Sequence, residues 1–330
     1  MTQQKYKKTL LKGGSLAGTY LVESTSEKYV RKEIRTDQHR EYGYQRWYSQ
    51  MKRLQRYQAL FPGLFPSILR TGFDDDVAFF DMEFLEGAAN CHDYLCTVQG
   101  HKEVAEVLHA VVDCMNRMHS VVLPSSTEAL DLYVQEEVRG KIADCLLDEE
   151  FKKFYDHETI IFNNEEILSI GSVMNEYLGF GKKNYITPVE SFTHGNITLE
   201  NMMYNPTEKR IYFIDPYDEN IIDNIYNEYS QILQSSSSHY ELYNHATPVI
   251  KGNNVEVNIE IPTGISVFNT MFTEGFMKDT LTSEEIAVTR FFEISQFMRM
   301  LPFKLHVDRN KMFLFYALGS KLFHDVRTSI

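Results

Sequence analysis

Long apolar runs are missing from this chain. No stretch of its 330 residues approaches the ~20 consecutive apolar residues that span a bilayer, so no membrane span is expected. Cysteine is scarce: Cys91, Cys96, Cys114 and Cys145 are the only four, none paired as Cys-x-x-Cys and none at zinc-finger spacing from a histidine. That usage fits a reduced, cytoplasmic compartment and buried thiols acting as small hydrophobes. Positive charge is the minority sign, 33 Lys and Arg against 46 Asp and Glu, for a net charge of -13. Such a surface repels phosphate backbones, which argues against nucleic acid as a partner. No Gly-Lys-Ser/Thr closes a Walker A loop, and no internal repeat is evident. Near the N-terminus, "LLKGGSLAGTYLV" is interrupted by Lys12 and a glycine pair and lacks a small-residue cleavage site, so it reads as part of the fold.

What is present has an ordinary globular balance, 43% hydrophobic and 24% charged, in a length that suits one large domain or two lobes. The first eighty or so residues read as strands around one helix. "KKTLLKGGSLAGTYLVES" suggests two strands joined by a glycine-rich turn, and "KYVRKEI" a third. Tyr44, Trp47, Tyr48, Met51 and Leu54 then recur at helical spacing. "DDDVAFFDMEFLEG" predicts a solvated turn followed by a strand. Beyond Gly87 the pattern turns helical, with "KEVAEVLHAVVDCMNRMHS" strongly amphipathic and a helix-rich region running to about Gly181. The serine run after "NIYNEYSQILQ" reads as a linker or, given its aromatic neighbours, an ordered turn. "GNNVEVNIEIP" suggests a hairpin or loop insertion. The C-terminal segment predicts two helices broken at Pro302, the first opened by Thr282 and Glu285 at capping-box spacing.

The segment "FTHGNITLENMMYNPTEKRIYFIDP", Phe192 to Pro216, is the most informative. Phosphoryl transfer requires a phosphate cradle, a cation, metal ligands and a group that orients the attacking hydroxyl. Candidates for each occur in order. "GGSLAGTY", with Gly13, Gly14, Ser15 and Gly18, lets backbone approach an anion, although such turns are by themselves more often plain hairpin turns. In "YVRK", Lys32 shares a strand face with Val30 and reaches inward if Val30 faces the core; on spacing alone an exposed strand-end lysine is the simpler reading. Glu41, the only acid between Asp37 and Asp74, is the candidate partner for that lysine, or else a solvent-facing first-turn glutamate. Backbone groups near Glu83 and Leu85 suit an adenine. Asn201 offers an amide oxygen and Asp215 a carboxylate, both hard ligands for Mg²⁺.

"HGNITLENMMY…IYFIDP" resembles the "HGDxxxxN…IDP/IDW" signature of the aminoglycoside phosphotransferase and choline kinase families. "GGSLAGTYLV", "YVRKEI", "FFDMEFLEG" and "VVDCMNRMHS" fall where that fold has its phosphate loop, lysine strand, hinge and the helix before the catalytic loop. The resemblance implies an α+β, two-lobed protein-kinase-like fold: a small β-rich N-lobe over residues 1–86 with a hinge at about 82–87, and a larger helical C-lobe over 87–330. It implies a catalytic loop at 194–201 and a metal-binding strand end at 215. Lys32 would touch the α and β phosphates of ATP and pair with Glu41, Asn201 and Asp215 would hold Mg²⁺, and His194 would support the loop. "IYFIDP" followed by "EYSQILQS" also resembles bacterial phosphotransferases of surface-polysaccharide synthesis. The implied partners are a nucleotide and a small hydroxylated acceptor, a sugar or amino alcohol.

The family signature has aspartate where this chain has Asn196. A carboxamide can hold a hydroxyl but lacks useful basicity. Two readings stay open: a phosphotransferase inactivated or strongly impaired at its base position, and a natural pseudokinase that binds nucleotide as a regulatory or interaction module.

Overall fold

Alternation along "KYVRKEIR" builds the strand on which the N-terminal half is organised. A computed structural model of the chain describes residues 6–11, 17–37, 42–126, 128–185, 190–217 and 220–329. Five strands form one antiparallel sheet: β1 (Lys7–Leu10), β2 (Gly18–Glu23), β3 (Lys28–Arg35), β4 (Ile68–Asp74) and β5 (Val77–Glu83), in the order β1-β2-β3-β5-β4. On one face of β3, Lys32 and Ile34 are buried. On the other, Arg31 makes a two-pronged contact with Asp81, its direct cross-strand partner, at 2.6 and 2.9 Å. Arg70 on β4 reaches the same carboxylate. Asp81 is wholly buried, so this double guanidinium clamp is what permits an ion there.

Helix α1 (Tyr42–Leu60) packs against this sheet through Trp47, Met51 and Leu54, all at most 5% exposed, at the spacing of one helical face. Trp47 meets Phe80 of β5 at 5.7 Å between ring centroids and points its indole N–H at the Lys32 carbonyl. Tyr48, grouped with that face by spacing, is instead exposed: it sits one position from Trp47, about 100° around the helix.

After β5 the chain turns at Gly87, whose φ of +73° places it in the left-handed region, and continues into α2 (His101–His119). Val104, Val107, Val111, Met115 and Met118 make its buried stripe. A hairpin of β7 (Met202–Asn205) and β8 (Arg210–Phe213), flanked by the two-residue β6 (Ala89–Asn90), lies beside it. The Phe213 amide donates to the Leu64 carbonyl, tying this hairpin to the segment after α1.

Helix α3 (Ile225–Ser236) runs through the C-terminal half, buried at Tyr226 and every position after it. Ser235 and Ser236 belong to this helix and are 1% and 0% exposed, so the serine run is neither linker nor simple turn at its start. Helix α4 (Ser283–Arg299) opens with the predicted capping box: Thr282 Oγ1 accepts from the Glu285 amide, and Glu285 Oε2 accepts from the Thr282 amide. Three helices follow one another here, not two. Pro302 sits in the first turn of a short helix over Leu301–Val307, where its missing N–H costs nothing, and α5 (Arg309–Ser329) comes after. The helix-rich region also contains strands. Thr159–Phe162 and Glu165–Leu168 form a hairpin, and a second hairpin of Val249–Lys251 and Asn254–Glu256, which starts before the segment 252–262 expected to hold a hairpin or loop insertion, joins it through a parallel pairing. The four cysteines are free, and three are buried. No helix among the described residues is long and apolar enough to cross a membrane.

Candidate active site

The loop Thr193–Asn201 is organised around a neutral histidine. His194 is 0% exposed and its Nε2 lies 2.8 Å from the Ile214 carbonyl. Its Nδ1 faces the Asn196 amide at 3.3 Å. An amide can only donate and a carbonyl can only accept, so Nδ1 carries the lone pair and Nε2 the proton. Burial pushes the ring pKa down to about 4. The imidazole stacks parallel to Phe65 at 6.1 Å and meets Phe213 edge-on. It therefore links the loop to the end of β8 as a structural crosslink. Gly195 follows with a φ of +82°; a Cβ there would collide with the Asn220 amide and lie 2.7 Å from the Tyr217 carbonyl. The Tyr217 amide returns to the His194 carbonyl at 2.9 Å. Loop and strand end are thus closed onto each other on both sides of the glycine.

Beneath the loop, α3 presents three polar side chains at spacings of three and four, hence on one face. Glu228 Oε1 accepts from the His194 amide at 2.6 Å, Gln231 Oε1 from the Ile197 amide at 2.8 Å, and Ser235 Oγ from the Leu199 amide at 3.0 Å. Gln231 Nε2 returns a bond to the Gly195 carbonyl. Glu228 Oε2 also meets His119 Nε2 at 2.7 Å, and Ser235 donates to the buried Glu241. A loop whose amides lack a strand partner must find acceptors elsewhere, and this helix supplies them. Sequence reasoning assigned none of the three a role. The helix is polar at many positions, Asn227, Ser230, Gln234 and Ser236 among them, so spacing alone does not single these three out.

The candidate residues of the loop and of the strand end are joined by hydrogen bonds. Asn196 is exposed. Asn201 Nδ2 donates to the Asn196 carbonyl at 2.8 Å, which fixes the amide and leaves Oδ1 as its acceptor end. The Ile214 amide donates to the Asn201 carbonyl, so the ladder of β7 and β8 carries on to the residue before Asp215. Asp215 has a φ of +55° and places Oδ1 2.9 Å from Lys32 Nζ. Lys32 is 2% exposed and so points inward, as its shared face with Val30 requires. Its described ionic partner is Asp215. Glu41, expected in that role, lies outside the described residues, as do Gly13, Gly14 and Ser15. Gly18 opens β2, where a Cβ would press on the Tyr20 ring. At the connection between the halves, the Glu83 amide is already committed to the Ser67 carbonyl, and the Leu85 carbonyl accepts from Ala88.

Asp223 is structural: its carboxylate accepts from Thr193 Oγ1 at 2.5 Å and from Asn220 Nδ2 at 3.2 Å. Tyr217 lies under Arg46, and Tyr240 packs edge-on against Phe315. No cluster of three or more His, Cys, Asp or Glu suited to a metal occurs among the described residues. Asn201 and Asp215 offer a smaller set of hard oxygens, the donor type that Mg²⁺ takes when water and substrate phosphates complete its shell.

Comparison with solved structures assigns the architecture. Over 99% of this chain and 94% of the other, the protein matches the GDP complex of a mutant aminoglycoside 2'-phosphotransferase-IIIa, with a TM-score of 0.56 at 12% identity. The chain has the fold of the aminoglycoside phosphotransferases. It is the two-lobed, protein-kinase-like α+β arrangement, a small antiparallel N-lobe sheet and a helical C-terminal region. Two further matches are an aminoglycoside-3'-phosphotransferase of type VIII (15% identity, 87% of this chain, 93% of that one, TM-score 0.48) and spectinomycin phosphotransferase APH(9)-Ia with ADP and spectinomycin (13%, 96%, 92%, 0.49). At those scores neither adds to the fold assignment. No protein-family model and no curated protein matches the chain. β3 with Lys32 is a central strand of the small antiparallel sheet, and the loop with Asn196 comes after it in the chain, ahead of α3.

Proposed function

We propose that this chain is an ATP- and Mg²⁺-dependent phosphotransferase scaffold for a hydroxyl on a small molecule, a sugar or amino alcohol, with its base position occupied by Asn196. The observation that supports this reading is the 2.9 Å contact of Lys32 with Asp215, whose neighbour Ile214 is bonded to Asn201, itself bonded to the Asn196 carbonyl; we take residues 1–86 and 87–330 as the two lobes this contact would bridge. Lys32 would neutralise phosphate oxygens. Asn201 Oδ1 and Asp215 would hold Mg²⁺, which when bound offsets phosphate charge. His194, neutral and buried, moves no proton; it fixes the loop so that residue 196 faces the cleft. The Asn196 carboxamide can orient a hydroxyl but not take its proton, and loss of such a base removes a factor of roughly 10²–10⁴ in rate. That same lack of basicity favours a second reading, a pseudokinase that binds nucleotide and signals by it.

Thermal melting with and without Mg·ATP tests the shared part of both readings: a nucleotide-dependent rise in Tm is expected. An unchanged Tm at millimolar Mg·ATP rejects both. Replacing Asn196 by Asp separates them.

A further inference from the structure

On the side of α1 that faces the C-lobe lies a polar cavity of about 310 Å³, near the lower end of the range for small-molecule sites. Lys52, Arg53 and Arg56 line it from the helix; Ser191, Phe192 and Asp223 line it from the segment leading into the catalytic loop. None of Lys32, Asn196, Asn201 or Asp215 belongs to it.

Three cations face one carboxylate here, in a chain whose net charge is -13. Asp223 is already held by Thr193 Oγ1 and Asn220, and sits 3.7 Å from Arg53, so among the described lining residues cations outnumber carboxylates. Arg53 is 7% exposed and donates Nη2 to the Thr193 carbonyl at 2.7 Å, which sets the guanidinium rigidly in the wall. Arg56 lies over the Phe192 ring at 4.9 Å. Ser191 is 1% exposed, and its Oγ has no hydrogen-bond partner among the described residues. A buried hydroxyl without a partner is an uncommon feature that asks for a ligand group. Guanidinium forks, an ammonium and a hydroxyl are the donor set that a tetrahedral oxyanion takes up.

We propose that this cavity is a binding site for a phosphate group, free or as a small phosphomonoester, distinct from the nucleotide cleft. The excess of cations over carboxylates among the described lining residues suits a dianion, and Ser191 Oγ donates to one of its oxygens.

The test is calorimetric titration of the full chain with inorganic phosphate and with glycerol 3-phosphate, against chloride at matched ionic strength. It is run on the native chain and on Lys32→Met, which lacks the cleft cation. One phosphate per chain is expected in both. Arg56→Ala and Lys52→Ala, both at exposed positions, should each weaken binding about tenfold, the loss expected for one charge-assisted bond. Ser191→Ala removes only the unpartnered hydroxyl, so it should fold as well as the native chain and bind several-fold more weakly. Mg·ATP shifts in Tm should survive all three changes, which separates this site from the cleft. Tighter uptake of glycerol 3-phosphate assigns the site to a monoester; equal uptake assigns it to the phosphate group alone. Heat no larger than that of chloride, binding lost in Lys32→Met, or native affinity in Arg56→Ala would each overturn the proposal.

Discussion

Lys32 and Asp215, 183 residues apart in the chain, meet at 2.9 Å across the two lobes. Their surroundings are unequal: the lysine side chain is 3% exposed and the aspartate 39%. The pair therefore holds a buried cation with a carboxylate that water can still reach. Asp215→Asn would strand the buried ammonium, while Lys32→Met leaves a solvated carboxylate and fills the space with apolar atoms. Stranding a buried charge costs about 3–5 kcal/mol, and the exposure of the partner places this case toward the low end. Chemical denaturation should rank Asp215→Asn well below Lys32→Met, the latter close to the native chain. Both should lose the Mg·ATP shift. Equal stability of the two variants would show that the ammonium is not held by this carboxylate.

Asn196→Asp should leave the unfolding midpoint almost unchanged, because residue 196 is exposed and its backbone, not its side chain, carries the recorded loop bonds. If the chain is a phosphotransferase silenced at its base, the variant should consume ATP with some sugar or amino alcohol at roughly 10²–10⁴ times the native rate. ADP release over an acceptor panel measures this. A variant that binds nucleotide and stays silent on every acceptor favours the pseudokinase reading.

Gly195→Ala should destabilise the protein by about 1–3 kcal/mol or more, from a left-handed backbone and from contact with the Tyr217 carbonyl. The urea midpoint reads it. Since the clash pushes the loop away from the 217–220 segment, the Mg·ATP shift should fall as well; a midpoint equal to that of the native chain would mean the loop relaxes freely.

Glu241 is 1% exposed, and burial raises its carboxyl pKa from 4.5 to about 7. Between those values the folded chain binds more protons than the unfolded one, so this group's contribution is complete below about pH 4.5 and is lost as pH rises through 7. His194 has the opposite sign: its pKa is lowered from 6.5 to about 4, so its contribution is present above 6.5 and is lost as pH falls through that window. Glu241→Gln should therefore gain on the native chain between pH 5 and pH 8, by up to about 3 kcal/mol at ~1.4 kcal/mol per pKa unit. A difference between the two chains that does not change with pH would show that Glu241 titrates normally.

Much of this was legible in the residue order. The alternation of β3 put Lys32 and Val30 on one face, the helical spacing of Trp47, Met51 and Leu54 marked the buried side of α1, and the loop sequence ahead of a short strand placed Asn201 near Asp215. Such local patterns are written residue by residue, since an element must turn its apolar positions inward. Helix α3 was not legible in the same way. Glu228, Gln231 and Ser235 look like a solvated face until the loop amides above them are in place, because a polar stripe has the same spacing whether water or backbone satisfies it.

The sequence by itself determined the strand of Lys32, the buried face of α1, the capping box of α4 and the residue types of the loop 194–201 and of position 215. Only the tertiary structure decided which groups meet: that Lys32 takes Asp215 as its described partner, that the proton of His194 sits on Nε2, and that Arg53, Arg56 and Ser191 share one cavity. Those facts depend on distances between segments remote in the chain. Spacing along a strand or helix cannot encode them, because they are fixed by how the lobes and helices pack.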